Sequence, residues 1–186
     1  GTLVEVGASA GLAKTTARTP IQAAQPISQV SAESAQARPS GVGELDRVLG
    51  GGIVPGAVIL LAGEPGVGKS TLLLTVAANA ARQAKLTGAG SVLYITGEES
   101  ASQVRLRAAR IDALADNLLL AAETELGAVL GQVEQANPAL LIVDSVQTIA
   151  SADVEGSAGG TSQVRAVAAS IIALAKERNI PVLLVG

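Results

Sequence analysis

The stretch Ala57-Val-Ile-Leu-Leu-Ala62, followed directly by Gly63-Glu-Pro-Gly-Val-Gly-Lys-Ser70, decides the fold. The apolar run predicts a strand buried on both faces of a parallel sheet. The eight residues after it match the pattern Gly-x-x-x-x-Gly-Lys-Ser/Thr. Glycines in such a loop let backbone N–H groups turn inward around phosphate, and the positive end of the following helix points at the same place. The stretch therefore predicts a nucleotide-phosphate loop between a strand and a helix.

The three side chains at the end of this loop are predicted to contact different parts of a bound Mg²⁺–nucleotide. Lys69 supplies a mobile positive charge for the β- and γ-phosphates, Ser70 offers a hydroxyl to Mg²⁺, and Thr71 can hydrogen-bond the α-phosphate. The alternative is a Gly-rich turn that ends in a solvated lysine, which the strand before it and the helix after it disfavour. We therefore predict ATP and Mg²⁺ as cofactors, bound by Gly63, Glu64, Pro65, Gly66, Val67, Gly68, Lys69, Ser70 and Thr71.

Acidic side chains follow two other apolar runs. The run 140–143 ends in Asp144, and the run 92–96 leads into Glu98 and Glu99. Because parallel strands present their carboxyl ends at the edge where ligands bind, we expect these carboxylates beside the phosphate loop. Asp144 is the candidate to hold Mg²⁺, and Glu98 is the candidate to orient the attacking water. Alternatively, Asp144 only begins a turn and the glutamates only favour a helix N-terminus, and for Glu99 the two interpretations are balanced.

Strands and helices alternate along the rest of the chain. Apolar residues at helical spacing over 41–49 are followed by three glycines, and Ser100 with Gln103 resembles a capping box. The patterns predict helices over 41–49, 69–83, 100–111, 125–135 and 162–178, and strands over 57–62, 91–96, 118–121, 139–143 and 181–185. The predicted fold class is therefore α/β, with a mostly parallel central sheet and helices on both faces.

Composition excludes several classes of function. The 186 residues, 48% hydrophobic and 16% charged, can bury the core of one α/β domain. With no Cys and no His, disulfides, zinc fingers, imidazole bases and thiolate nucleophiles are excluded. Tyr94 is the only aromatic residue, which excludes a stacking platform for single-stranded nucleic acid. A net charge of -3 excludes a sequence-blind polyanion binder, so any nucleic-acid contact must be local.

The chain divides into two segments of different composition. Residues 1–38 are rich in Ala, Ser, Thr, Gln and Pro and are predicted to form a flexible linker, whereas residues 39–186 form the predicted domain. No apolar run is long enough for a membrane span, and no signal peptide pattern is present, so we expect a cytoplasmic protein without a membrane partner. The strand at 181–185 stops abruptly, and we expect the chain to be a piece of a longer protein.

Four motifs together resemble a known family. They are Gly41-Val-Gly-Glu-Leu-Asp-Arg-Val-Leu-Gly-Gly-Gly-Ile53, Gly63-Glu-Pro-Gly-Val-Gly-Lys-Ser-Thr71, Tyr94-Ile-Thr-Gly-Glu-Glu-Ser-Ala-Ser-Gln-Val104 and Leu141-Ile-Val-Asp-Ser-Val-Gln-Thr148. From about residue 26 to residue 186, the chain resembles the RecA-type ATPase core of the RadA (Sms) family of bacterial DNA-repair proteins. The resemblance implies a RecA-like P-loop NTPase fold. It also implies that a four-cysteine zinc finger precedes residue 1.

The resemblance carries expectations about activity and partners. It implies an ATP-driven, helicase-like motor, a hexameric ring of identical subunits, that acts on single-stranded DNA and drives branch migration of recombination intermediates, with a RecA recombinase as a further partner. By position, Glu98 corresponds to the water-activating glutamate and, with Lys69, forms the catalytic pair. Asp144 corresponds to the Walker B aspartate and, with Ser70, forms the metal site. The loop 150–162 corresponds to a first DNA-binding loop.

The family pattern also continues past the last residue of this chain. A Lys-Asn-Arg-Phe-Gly motif and a Lon-protease-like domain would lie beyond Gly186. That motif resembles a source of positive charge acting on a neighbouring subunit's ATP. We therefore expect residues 1–186 to bind nucleotide and hydrolyse it poorly.

Two other classes of function fit parts of the sequence. A RecA-fold regulatory ATPase of the KaiC type has a similar Gly-Gly-Gly turn and paired glutamates, and it forms rings without DNA. A P-loop small-molecule kinase also suits the phosphate loop, but it predicts a loop near the chain start and an Arg-rich lid.

The loop 150–162 carries Asp153 and Glu155, which repel phosphate, so it is equally interpreted as a surface loop. Three arginines lie on one predicted helix, Arg105, Arg107 and Arg110. They form either a contact with DNA or another subunit or, as we prefer, a solvated face.

Overall fold

The structure is a computed structural model that describes residues 23–32 and 35–186. The chain divides into two compact units, Gly1–Ala32 and Glu33–Gly186. In the first unit, a 3₁₀ turn at Ile27–Gln29 is closed by a hydrogen bond from the Gln29 N–H to the Pro26 carbonyl, 2.9 Å long. Most of the predicted linker, residues 1–22 and 33–34, lies outside the described residues.

The second unit is built on five parallel strands. They are β1 (Val58–Leu61), β2 (Val92–Thr96), β3 (Leu118–Ala122), β4 (Leu140–Asp144) and β5 (Val182–Val185), in the spatial order β1-β5-β4-β2-β3. Because all five run the same way, their carboxyl ends lie at one edge of the sheet. The register pairs Thr96 on β2 with Asp144 on β4, so these two strands end at the same level.

Five helices connect the strands. They are α1 (Gly43–Val48), α2 (Lys69–Thr87), α3 (Ala101–Arg110), α4 (Leu126–Ala136) and α5 (Thr161–Arg178). Alternate residues of each strand point to opposite faces. One face packs α1, α2 and α3 against residues such as Tyr94, Ile142 and Leu183. The other face packs α4 and α5 against residues such as Leu93, Val143 and Leu184. The predicted α/β class, with a parallel sheet and helices on both faces, is confirmed.

Local signals in the sequence account for the element ends. At the start of α3, the Ser100 hydroxyl accepts from the Gln103 N–H at 3.3 Å and the Gln103 side chain accepts from the Ser100 N–H at 2.9 Å. The predicted capping box is therefore formed. Helix α2 ends four residues later than predicted, at Thr87, where Gly88 adopts a left-handed conformation with φ of 69°. Left-handed glycine is a common stop for a helix.

Strand β1 differs from its prediction. We expect it to be buried on both faces, but within residues 35–186 it lies at the sheet edge, where β5 is its pairing partner. The Leu60 side chain points to the same face as α4 and α5, and it is 59% exposed. The helices on that face pack mainly against the central strands β2, β4 and β5, which leaves the edge strand half covered. An unbroken apolar run does not distinguish a central strand from an edge strand.

Candidate nucleotide-binding site

The phosphate loop lies between β1 and α2, as predicted. Gly66 and Gly68 have φ values of 81° and 91°, in the left-handed region that residues other than glycine rarely adopt. A side chain at either position would have room, because no atom lies within 4 Å of an added Cβ, so backbone conformation is what requires glycine there. Among the described residues, no side chain caps the N-terminus of α2. The helix end is therefore left for a ligand.

Lys69 lies folded across the loop. Its ammonium donates to the carbonyl oxygen of Gly63 and to that of Glu64, the latter at 3.0 Å. The loop from Gly63 to Gly68 is exposed, and Lys69 is half-buried. A lysine has three donors, and hydrogen bonds to exposed carbonyls are readily exchanged for bonds to an anion with full negative charge. Lys69 is thus hydrogen-bonded to the loop with which it is predicted to bind phosphate. Ser70 and Thr71 follow in the first turn of α2.

Asp144 ends β4 at the carboxyl edge of the sheet and is half-buried. Its Oδ2 accepts a hydrogen bond of 2.8 Å from the Tyr94 hydroxyl on the neighbouring strand β2. Burial raises the pKa of the Tyr94 phenol, and the negative charge of Asp144 raises it further. Tyr94 therefore stays protonated and acts as a permanent donor to this carboxylate.

Glu98 lies beside the strand that carries Asp144. Its Oε1 accepts a hydrogen bond of 3.3 Å from the hydroxyl of Ser145, the residue that follows Asp144. Glu98 itself is exposed. The carboxylate predicted to hold the metal therefore ends β4, and the one predicted to orient water follows the neighbouring strand β2 and is hydrogen-bonded to the residue after Asp144.

Glu99 has a different environment from Glu98. Its carboxylate forms an ion pair with Arg107 on α3, in which both side chains are about one-third exposed or less. The backbone of Glu99 is also held, since its N–H donates to the Thr96 hydroxyl at 3.2 Å and its carbonyl accepts from the same hydroxyl at 3.0 Å. The geometry therefore favours a structural role for Glu99. Arg107 is correspondingly not part of a solvated face, whereas Arg105 and Arg110 are exposed.

Gly97 is required by a close approach that the sequence pattern does not predict. A Cβ at this position would collide with the hydroxyl oxygen of Thr148, in the 3₁₀ turn Val146–Thr148 that follows β4. The Gly97 N–H also donates to the Asp144 carbonyl at 2.9 Å. The absence of a side chain lets the end of β2 lie against this turn, which brings Glu98 next to Ser145. The sequence signal that could have indicated this close approach is a glycine between a strand and the paired glutamates Glu98 and Glu99.

The loop after β4 is held at its base by one buried side chain. Gln163, in the first turn of α5, is 2% exposed. Its Oε1 accepts from the Ser151 N–H at 2.8 Å, and its Nε2 lies within hydrogen-bond distance of the carbonyls of Ser151, Val154 and Gly156. We call residues 151–160 the polar loop. The sequence pattern predicts a loop here but does not indicate that Gln163 holds it.

The donor set at this edge fits Mg²⁺ bound together with a nucleotide. Within residues 23–32 and 35–186, no group of three or more His, Cys, Asp and Glu side chains could hold a metal ion without other ligands. Mg²⁺ in phosphate-transfer sites takes one or two protein oxygens and completes its shell with phosphates and water. A hydroxyl at Ser70 and a carboxylate at Asp144 are donors of this kind. No helix in the described part of the chain has the length and apolar character needed to cross a membrane.

Comparison with known proteins agrees with these features. Residues 22–186 match the family described as AAA domain. The chain is 48% identical over 190 residues to DNA repair protein RadA of Mycobacterium tuberculosis, covering 100% of this chain and 38% of that protein. It is 45% identical over 163 residues to DNA repair protein RadA of Listeria monocytogenes, covering 88% of this chain and 35% of that protein.

A third relative extends the range of bacteria. DNA repair protein RadA of Streptococcus pneumoniae is 48% identical over 143 residues, which cover 77% of this chain and 33% of that protein. The chain thus spans about a third of the length of each of these relatives. The predicted resemblance to RadA proteins is confirmed. Because the match covers all but the first 21 residues, the chain belongs to the AAA domain family.

Proposed function

We propose that this chain is the ATPase core of a DNA-repair motor that acts on single-stranded DNA and on branched recombination intermediates. One observation carries the proposal: the phosphate loop, Asp144 and Glu98 follow parallel strands and share one edge of the sheet. Similarity to DNA repair protein RadA, at 45% to 48% identity in the three relatives named above, supports DNA repair as the process.

The residues of the site suggest how ATP is bound and hydrolysed. Backbone N–H groups of the phosphate loop and the ammonium of Lys69 bind the phosphates, and Lys69 exchanges its two carbonyl partners for phosphate oxygens. Ser70 and Asp144 are proposed to hold Mg²⁺, which when bound neutralises charge on the phosphates. Glu98 accepts a hydrogen bond from the water that attacks the γ-phosphate, and Ser145 keeps the Glu98 carboxylate turned toward β4.

The loop 150–162, which includes the polar loop, is the proposed contact with DNA. It follows Asp144 along the chain, after the 3₁₀ turn that packs against the end of β2. Its glycines leave backbone N–H groups that can donate to DNA phosphates, while Asp153 and Glu155 limit that contact to the backbone of the loop. A ring of identical subunits, a hexamer, would bring several such loops to one strand of DNA. A cytoplasmic location and a RecA recombinase as a partner belong to the same proposal.

ATP turnover with and without single-stranded DNA tests this function. The assay uses a chain extended beyond Gly186. It compares the wild type with Lys69→Ala and with Lys85→Ala, which removes an exposed lysine from the other end of the same helix. We expect DNA to raise turnover severalfold, Lys69→Ala to be silent and Lys85→Ala to match the wild type. Wild-type turnover in Lys69→Ala would contradict the proposed site. Turnover that ignores DNA would instead favour a regulatory ATPase that assembles without DNA.

A second assay tests whether ATP hydrolysis depends on residues beyond Gly186. Binding of a fluorescent ATP analogue is measured on residues 1–186 and on a chain extended to include the Lys-Asn-Arg-Phe-Gly motif, and turnover is measured on both. We expect similar binding and much faster turnover in the longer chain. Equal turnover would show that the motif supplies nothing to hydrolysis.

A further inference from the structure

Tyr94 lies at the centre of the sheet, next to the strand that ends in Asp144. It pairs in register with Ile142 on β4, and Asp144 follows Ile142 by two residues, so all three side chains point to the same face of the sheet. Tyr94 is 1% exposed and packs in the core with Leu73, Leu74 and Val104. The aromatic ring is therefore fixed by packing, and its hydroxyl has a fixed position at the carboxyl edge.

The hydroxyl makes one contact that the packing alone does not require. It donates to Asp144 Oδ2 at 2.8 Å, and the two residues are separated by 50 positions along the chain. No described residue donates a hydrogen bond to the other carboxylate oxygen, Oδ1. A carboxylate with one oxygen held in this way keeps its plane and presents the second oxygen in one direction. Outer partners of this kind orient metal ligands in many proteins.

The chain has no second aromatic residue, and the rest of its core consists of Ala, Val, Leu and Ile. Leu or Ile would fill most of the same volume without a buried hydroxyl. A buried phenol needs a partner, and here its partner is the carboxylate proposed to hold Mg²⁺. The hydroxyl therefore has a use beyond filling the core.

We propose that Tyr94 is a positioning residue for the metal-binding carboxylate: its hydroxyl holds Asp144 so that Oδ1 is presented to Mg²⁺ or to a water bound to it. The inference rests on the proposed function because it takes Asp144 as the residue that holds the metal. Tyr94 does not contact nucleotide or metal, and it acts only through Asp144.

Tyr94→Phe removes the hydroxyl and keeps the ring. Two readouts follow the metal: the Mg²⁺ concentration that gives half-maximal ATP turnover, and Mn²⁺ binding measured by electron paramagnetic resonance with a non-hydrolysable ATP analogue. We expect the half-maximal Mg²⁺ concentration to rise about tenfold and the affinity for Mn²⁺ to fall about tenfold, since loss of an outer partner costs that much or more in metal affinity. At saturating Mg²⁺, the maximal rate and the KM for ATP should change less than twofold.

Two further variants separate the possible outcomes. Ile142→Val disturbs the same core beside Asp144 and leaves the hydroxyl in place, so it should not change Mg²⁺ dependence. If it shifts Mg²⁺ dependence as much as Tyr94→Phe does, or if Tyr94→Phe leaves Mn²⁺ binding unchanged, the positioning role is wrong. Asp144→Asn tests the underlying assignment: wild-type Mn²⁺ binding in that variant overturns the proposed metal site itself, whereas lost Mn²⁺ binding with an unaffected Tyr94→Phe overturns only the role of Tyr94.

Discussion

Two loops at the same edge of the sheet are held in opposite ways. In the phosphate loop, the described hydrogen bonds from a side chain come from Lys69 and end on carbonyl oxygens, and the shape rests on glycines with positive φ. In the polar loop, the buried amide of Gln163 bonds to both donors and acceptors of the backbone. The first arrangement leaves backbone N–H groups for a ligand. The second uses protein groups to fix the base of the loop.

This difference shows which residues determine the shape of each loop. A loop shaped by glycine conformation is changed by adding a Cβ, and a loop shaped by one buried amide is changed by removing that amide. The two loops should therefore fail in different measurements. The phosphate loop should lose ligand affinity, whereas the polar loop should lose stability.

The largest expected effect on ATP affinity comes from Gly68→Ala. Its φ of 91° costs a residue with a Cβ about 1–3 kcal/mol. The loop can avoid this strain by changing shape, which disperses the N–H groups around the phosphates. We expect affinity for a fluorescent ATP analogue to fall by about 5- to 150-fold, which is the same free energy expressed as a binding constant.

Gly88→Ala is the matched control for this substitution. Gly88 also has a positive φ, 69°, and open space around an added Cβ, but it lies at the other end of α2. It should lower the free energy of unfolding by about 1 kcal/mol and leave ATP affinity unchanged. Similar loss of ATP affinity in both variants would mean that strain anywhere in α2 weakens binding, and that the loop has no special dependence on glycine.

A second substitution, Gln163→Leu, should break the polar loop. It keeps a side chain of similar size in the core and leaves the buried N–H and carbonyl of Ser151 without their partner, together with the more exposed carbonyls of Val154 and Gly156. Each buried polar group left unsatisfied costs about 1–3 kcal/mol, so we expect the free energy of unfolding to fall by about 2–4 kcal/mol in urea denaturation. ATP affinity should stay within about twofold because the phosphate loop does not contact this amide.

The control for Gln163→Leu is Gln135→Leu, which changes an exposed glutamine near the end of α4. It should leave the unfolding midpoint where it is, since surface substitutions are usually within about 0.5 kcal/mol. If Gln163→Leu is equally harmless, the amide does not hold the loop and the contrast between the two loops fails.

The smallest expected effect is that of Ser151→Ala, which removes a single bond inside the polar loop. The Ser151 hydroxyl accepts from the Asp153 N–H at 3.3 Å, a long and neutral contact. Such bonds contribute about 0.5–1.5 kcal/mol, and we expect a loss near the lower end. Hydrogen exchange should show faster opening of residues 152–156 with no change in β4. A loss as large as that of Gln163→Leu would move the anchor of the loop from the amide to the hydroxyl.

The sequence predicted the parts of the fold that depend on local signals. The apolar runs gave the strands within a residue or two, and Ser100 with Gln103 predicted a capping box that is present in full. The glycines of the phosphate loop predicted its position because the conformation they permit is a property of single residues. The burial of β1 was not predicted correctly, since strand order decides which strand lies at an edge.

The site shows the same limit. Lys69 and Asp144 lie where the motifs and strand ends predicted. Which of Glu98 and Glu99 has a structural role depends on tertiary contacts, which the motifs do not predict. Arg107, eight residues after Glu99, forms an ion pair with Glu99 and leaves Glu98 beside Ser145. Gly97 is important because Thr148, in a turn distant along the chain, packs on it, and Gln163 is important because the loop before α5 folds back onto its amide. No spacing within their own segments indicates such contacts.

The chain contains one tyrosine and no tryptophan or phenylalanine. Its near-ultraviolet absorption, circular dichroism and emission therefore originate from Tyr94 alone, whose hydroxyl is bonded to Asp144. Residues 1–186 therefore carry a single aromatic chromophore, hydrogen-bonded to the carboxylate proposed to hold Mg²⁺, and no label has to be added. Any event that changes the charge on Asp144 or its distance from the phenol should change this optical signal directly, without a background from elsewhere in the chain.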